Sequence, residues 1–219
     1  MRLRLKTSEI LHQLKRHAPF TVAGALSGVF IILVMQFGHV SQGISGKLFW
    51  TLHPIHVLLS ALVTAAMYRL NSPRRLLRTI IIGYVGAVGI ATLSDSLIPY
   101  VGEWMLQLPN RGIHIGFIEK WWLVNPLALL GIAIAWFWPQ TRFPHAGHVF
   151  LSTWASLFHM TMALGGQLTP VAMIVIPVFL FMAVWLPCCT SDIIFPLLFV
   201  EKAPSKKQTG LADSRRSNG

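Results

Sequence analysis

The sequence predicts an all-α integral membrane protein whose six transmembrane helices form two inverted three-helix repeats. Three observations carry that expectation: the apolar composition, the placement of the basic residues, and a duplicated histidine–aspartate pattern. Of 219 residues 54% are hydrophobic and 11% charged, with a mean hydropathy of +0.61. A soluble domain carries about 25% charged residues. This composition excludes a soluble globular domain, a disordered chain and a disulfide-stapled secreted scaffold.

Apolar runs extend from Phe20 to Phe37, Leu48 to Tyr68, Thr79 to Val101, Trp122 to Trp138, Val149 to Leu164 and Leu168 to about Cys189. Each approaches the roughly 20 residues that a helix needs to cross a bilayer. The last resumes as Ile193 to Val200 beyond Ser191 and Asp192, so it must tilt strongly or break near Pro187 and Asp192. Trp50, Trp104, Trp121, Trp122, Trp136 and Trp138 fall near span ends, where tryptophan anchors a helix at the interface. The chain thus divides into a basic cytoplasmic arm (1–18), a first three-helix repeat (19–101), an outer loop (102–120), a second three-helix repeat (121–200) and a polar cytoplasmic tail (201–219) expected to be disordered. The first apolar run is as long as a span and lacks a small-residue cleavage site, so it does not read as a cleavable signal.

A net charge of +11 would suit a nucleic-acid partner, but the distribution of that charge does not. With both termini inside, 15 of the 18 Lys and Arg residues lie on the inner segments, leaving Lys47, Arg111 and Lys120 outside. That bias orients a multi-pass protein with both termini cytoplasmic and suits contact with anionic lipid. Together with the tryptophan-rich borders it fits a bacterial inner membrane, with the bilayer rather than nucleic acid as partner. A homo-oligomer or a partner subunit stays open.

The repeat is read from scarce residues. His53-Pro54-Ile55-His56-Val57-Leu58-Leu59-Ser60 matches His145-Ala146-Gly147-His148-Val149-Phe150-Leu151-Ser152 as H-x-x-H-V-x-L-S. Ser94-Asp95-Ser96-Leu97-Ile98-Pro99 matches Ser191-Asp192-Ile193-Ile194-Phe195-Pro196 as S-D-x-x-x-P. The first and fourth spans share Ala-Leu-x-Gly, at Ala25 to Gly28 and Ala128 to Gly131. A unit of three spans is odd, so the second copy lies inverted, as in many secondary transporters.

Two clusters follow: His53, His56 and Asp95 toward the outer face, and His145, His148 and Asp192 toward the cytoplasm. Residues three apart share a helix face, so each histidine pair can meet its own aspartate. Two imidazoles and a carboxylate suit divalent zinc, iron, nickel or manganese, and imidazole also suits proton coupling. The competing reading is structural: Ser-Asp caps the segment that follows, with the proline in its first turn.

Secondary candidates are Cys188 and Cys189, whose thiolates would favour a thiophilic ion, and His159, which the repeat aligns with Met67 near mid-membrane. The outer loop adds His114 beside Glu103, Arg111 and Glu119, with His39 on the same side; these residues suit gathering a cation or acting as a lid. The function expected is therefore a small polytopic transporter or permease for a divalent metal cation, rather than an enzyme. The alternatives are a membrane-embedded metalloenzyme (di-iron or zinc), which needs its histidines on one face, and a di-haem membrane cytochrome, which needs axial histidines from facing helices. The chain shows no P-loop, G-x-S-x-G, H-E-x-x-H or dinucleotide-binding pattern.

Overall fold

A computed structural model describes residues 7–38, 42–72, 75–140, 142–165, 169–189 and 194–200, with the backbone alone at 7–14, 16, 17, 36, 42, 142–146 and 189. Among these residues all regular structure is helical: α1 (Thr7–Phe37), α2 (Gln42–Asn71), α3 (Leu76–Thr92), a π-helical turn (Leu93–Leu97), α4 (Ile98–Met105), α5 (Gly116–Glu119), α6 (Trp121–Phe137), α7 (Arg142–Ala163), α8 (Pro170–Cys189) and α9 (Phe195–Leu198). Four helical stretches are long and apolar enough to cross a membrane: Ala18–Met35, Gly43–Asn71, Leu76–Met105 and Pro170–Cys188. This marks a membrane protein. The apolar helix Trp121–Phe137 is shorter, and α7 carries more polar residues because it lies at the centre of the bundle.

The bundle is built around α2, which packs against α3, α6 and α7, while α1 packs on α7 and α8. Small residues let these helices approach. A side chain at Gly131 would run into the Leu58 carbonyl oxygen of α2, and Ala61, Ala65, Ala128 and Ala135 are buried along the same seam. Gly24 and Gly28 do the same for α1, facing Thr153 of α7 and Leu180 of α8. Both Ala-Leu-x-Gly segments therefore sit in helix contacts. Leu26, Phe30, Val34, Ile174 and Val178 remain exposed on α1 and α8, an apolar surface suited to lipid.

The third long rod is continuous from Leu76 to Met105, interrupted only by its wide turn. Pro99 explains that turn. Lacking an N–H, it cannot donate to a carbonyl in the preceding turn, and its ring crowds the carbonyl four residues back, that of Asp95. The chain relaxes by one wider turn, in which Ile98 N–H reaches Leu93 O. Asp95 therefore lies inside a helix and caps nothing, and α4 has no side-chain cap. The structural reading of Ser94-Asp95 as a helix cap is thereby corrected.

Seam packing has a direct test. Gly131→Ala should destabilise the detergent-solubilised protein by about 1–3 kcal/mol through overpacking. Gly89→Ala, where an added Cβ meets nothing within 4 Å, should be neutral or stabilising by up to about 1 kcal/mol. Thermal unfolding of the two variants would show equal effects only if the α2–α6 seam were loose.

Candidate metal centre

A buried carboxylate organises the middle of the bundle. Asp95, on the π-helical turn, is fully buried. Its Oδ2 accepts from His53 Nδ1 at 2.9 Å and His56 Nδ1 at 2.6 Å. Its Oδ1 accepts from Ser94 Oγ at 2.7 Å and Ser152 Oγ at 2.9 Å. An ionised carboxylate only accepts, so both imidazoles must donate from Nδ1, and that tautomer leaves the Nε2 lone pairs for other work. His56 Nε2 has no hydrogen-bond partner among the described residues, although the ring is buried.

The wide turn leaves backbone groups to satisfy as well. Ile98 N–H is taken by Leu93 O, and Pro99 has no N–H to offer Ser94 O. That carbonyl accepts instead from Ser156 Oγ at 2.9 Å. Ser152 and Ser156 lie one turn apart on α7, which is thereby locked to the turn carrying Asp95.

His148 of α7 stacks on His56, with ring centroids 5.7 Å apart and planes 30° apart. Cys188, near the end of α8, places its thiol 3.8 Å from Ser152 Oγ. One donor atom each from His56, His148 and Cys188 lies within 4.8 Å of the others, all three residues being buried. Because His56 Nδ1 is committed to Asp95, Nε2 is its ligating atom, and Asp95–His56 has the carboxylate–histidine form that orients metal ligands. On a tetrahedral zinc, donors bonded at about 2.0–2.3 Å stand some 3.3–3.6 Å apart. The observed donors, within 4.8 Å of one another, would reach that spacing by small side-chain rotations.

His148 does not stand apart from the first histidine pair but meets His56, which differs from the expectation of separate outer and cytoplasmic clusters. The reason is the stagger of α7 along α2. Gly147 lies against Leu59, so the second turn of α7, which carries His148, lies beside the middle of α2, and α2 continues from Ser60 to Asn71, about 18 Å. His56 is itself central in α2, with fourteen residues before it and fifteen after it between Gln42 and Asn71. The side chains of His145 and Cys189, and Asp192 and His39 altogether, lie outside the described residues.

His159 is also placed differently from its repeat alignment. It packs on Phe49, with ring centroids 5.2 Å apart, and Phe49 precedes Met67 by eighteen residues of α2, about 27 Å. His159 Nδ1 lies 2.6 Å from Glu103 Oε1, both side chains 1% exposed. Glu103, read from the sequence as a loop residue, belongs to α4. His114 lies beyond this pair, its Nδ1 3.2 Å from Glu119 Oε2 and its ring 5.4 Å from that of His159. Trp50, expected as an interfacial anchor, packs against His53 and His114, and Trp136 lies under Arg69.

Sequence reading found the histidines and Asp95 but missed Ser94, Ser152 and Glu103 as partners. The two serines stand in the repeated H-x-x-H-V-x-L-S and S-D-x-x-x-P patterns, which was their one available signal. Set against known protein families, characterised proteins and solved structures, the chain shows no significant match.

The carboxylate and one of its donors should differ sharply in importance. Removing Asp95 strips both imidazoles of their partner, so Asp95→Ala should cost about 3–5 kcal/mol. Ser152→Ala leaves Oδ1 its bond from Ser94 and should cost about 1 kcal/mol. Chemical or thermal unfolding in detergent would compare them, and equal losses would remove Asp95 from its central role.

Proposed function

We propose that the protein is a small multi-pass carrier for a zinc-like divalent cation, held at mid-bundle by His56, His148 and Cys188. The observation that carries this reading is the convergence of those three buried donors from three helices, backed by the Asp95 carboxylate. The donor set argues for the ion class. A thiolate with two imidazoles suits zinc or another borderline-soft cation and disfavours manganese. A divalent ion with one thiolate and one neighbouring carboxylate sums to zero charge, a state compatible with a low-dielectric interior.

The inverted repeat supports transport. The packing is compatible with such a repeat: α1 contacts α7 and α8 as α6 contacts α2 and α3, and α2 meets α7 directly. His56 and His148 occupy the same place in the two patterns and face one another. A site where two inverted halves meet is the arrangement that alternating access uses. In this reading the six long helical rods cross a bacterial inner membrane with both termini cytoplasmic, and His145 and Asp192 are the second-repeat counterparts of His53 and Asp95. His53 is a positioning residue that shares Asp95 with His56.

A membrane-embedded zinc enzyme is the second reading, favoured by the same geometry: three protein ligands leave a fourth position open, as in catalytic zinc sites. Reconstitution separates the two. Proteoliposomes loaded with a zinc-sensitive dye should accumulate zinc with the wild type, and His148→Ala or Cys188→Ser should abolish both flux and zinc binding by the purified protein. Stoichiometric zinc without flux would transfer the assignment to the enzyme. Protein that neither binds zinc nor moves it would overturn the metal reading itself.

A further inference from the structure

The structure carries a second arrangement of the same chemical form, about two helical turns nearer the α4–α6 loop along α2. His159 Nδ1 is held by Glu103 and His114 Nδ1 by Glu119. In both residues the carboxylate takes one nitrogen and leaves Nε2, as Asp95 does for His56. His159 is 1% exposed, and its Nε2 has no hydrogen-bond partner among the described residues. A buried, unsatisfied imidazole nitrogen is costly unless something binds there.

His114 supplies the facing group. A Cβ on Gly112 would stand 3.3 Å from His114 Nε2, and Gly112 N–H donates to Glu103 Oε2 at 3.3 Å. His114 Nε2 thus lies beside Gly112, whose N–H is bonded to the same Glu103 carboxylate that holds His159. The loop is held there by two more bonds, His114 N–H to Ser96 Oγ at 3.1 Å and Ile115 N–H to Glu119 Oε1 at 2.8 Å. The ring centroids of His114 and His159 are 5.4 Å apart. Two imidazoles bound to one tetrahedral zinc at about 2.0 Å hold their ring centres about 5 Å apart.

We propose that His114 and His159 form a second, outer binding site for a borderline divalent cation such as zinc, completed by water and loading the central site. The loading role rests on the carrier reading above; the binding does not. The two sites are joined by aromatic contacts. Phe49, fully buried, packs on His159 at 5.2 Å and on His53 at 5.4 Å. His53 and His56 then share Asp95, and His56 stacks on His148. A chain of ring contacts and shared carboxylates therefore runs from a partly exposed loop residue to the middle of the bundle.

Cobalt distinguishes the sites, because only the central one has a sulfur ligand. Untagged protein in detergent, freed of metal and titrated with Co²⁺, should show one binding event with a thiolate-to-cobalt charge-transfer band and one without it. His114→Ala, at a residue whose side chain is 34% exposed, should remove one equivalent and leave the band and the fold intact. Glu119→Gln should weaken that same event about 10–100-fold, the usual effect of losing an outer-shell partner. His148→Ala should remove the band and leave the other event. Cobalt binding that His114→Ala leaves unchanged in number and affinity would overturn the outer site, whatever became of the central one. Loss of an equivalent in His114→Ala, with no charge-transfer band in any sample, would uphold the outer site and overturn the central one.

Discussion

The buried carboxylate of Asp95 is the constraint on which the centre of the molecule depends. The effective cost of burying an ion of this kind is several kcal/mol. Hydrogen bonds to a charged group contribute about 1.5–3 kcal/mol each, so four of them are of the size needed to hold it. Those four donors come from α2, the π-helical turn and α7. Satisfying one side chain therefore sets the registration of three helices. It also selects the tautomer of two histidines, and that selection turns a packing requirement into a ligand set.

A second consequence concerns where the polar groups lie within the bundle. Serines, threonines and histidines line α7 at Ser152, Thr153, Ser156 and His159, all buried, whereas α1 and α8 present large apolar side chains outward. The least apolar of the long helices is thus the most enclosed. Glycine and alanine seams make this enclosure possible, because they bring α6 close to α2 and α1 close to α7.

The helical segments were legible because hydropathy reports them directly, and the pairing of His53 and His56 with Asp95 was legible because helix spacing puts both histidines on one face. Depth was not. Counting spans from their first apolar residues put His145 and His148 at a membrane surface, yet the second turn of α7, where Gly147 meets Leu59, lies beside the middle of α2. Hydropathy cannot tell a polar residue at the end of a span from one enclosed by neighbouring helices. Glu103 was missed for a related reason: Pro99 and the polar residues that follow imitate the end of a helix, while the rod in fact runs on to Met105.

The wide turn at Leu93–Leu97 also acts as a phase correction. Asp95 and Glu103 are eight residues apart, and at about 100° per residue an unbroken α-helix would leave them some 80° out of step. The turn takes up part of that offset, so that both carboxylates reach histidines in the groove between α2 and α7. Pro99 makes the correction permanent by denying the helix its regular hydrogen bond. A single ring thereby keeps two separate carboxylates in time with each other, and with them the three imidazoles they hold.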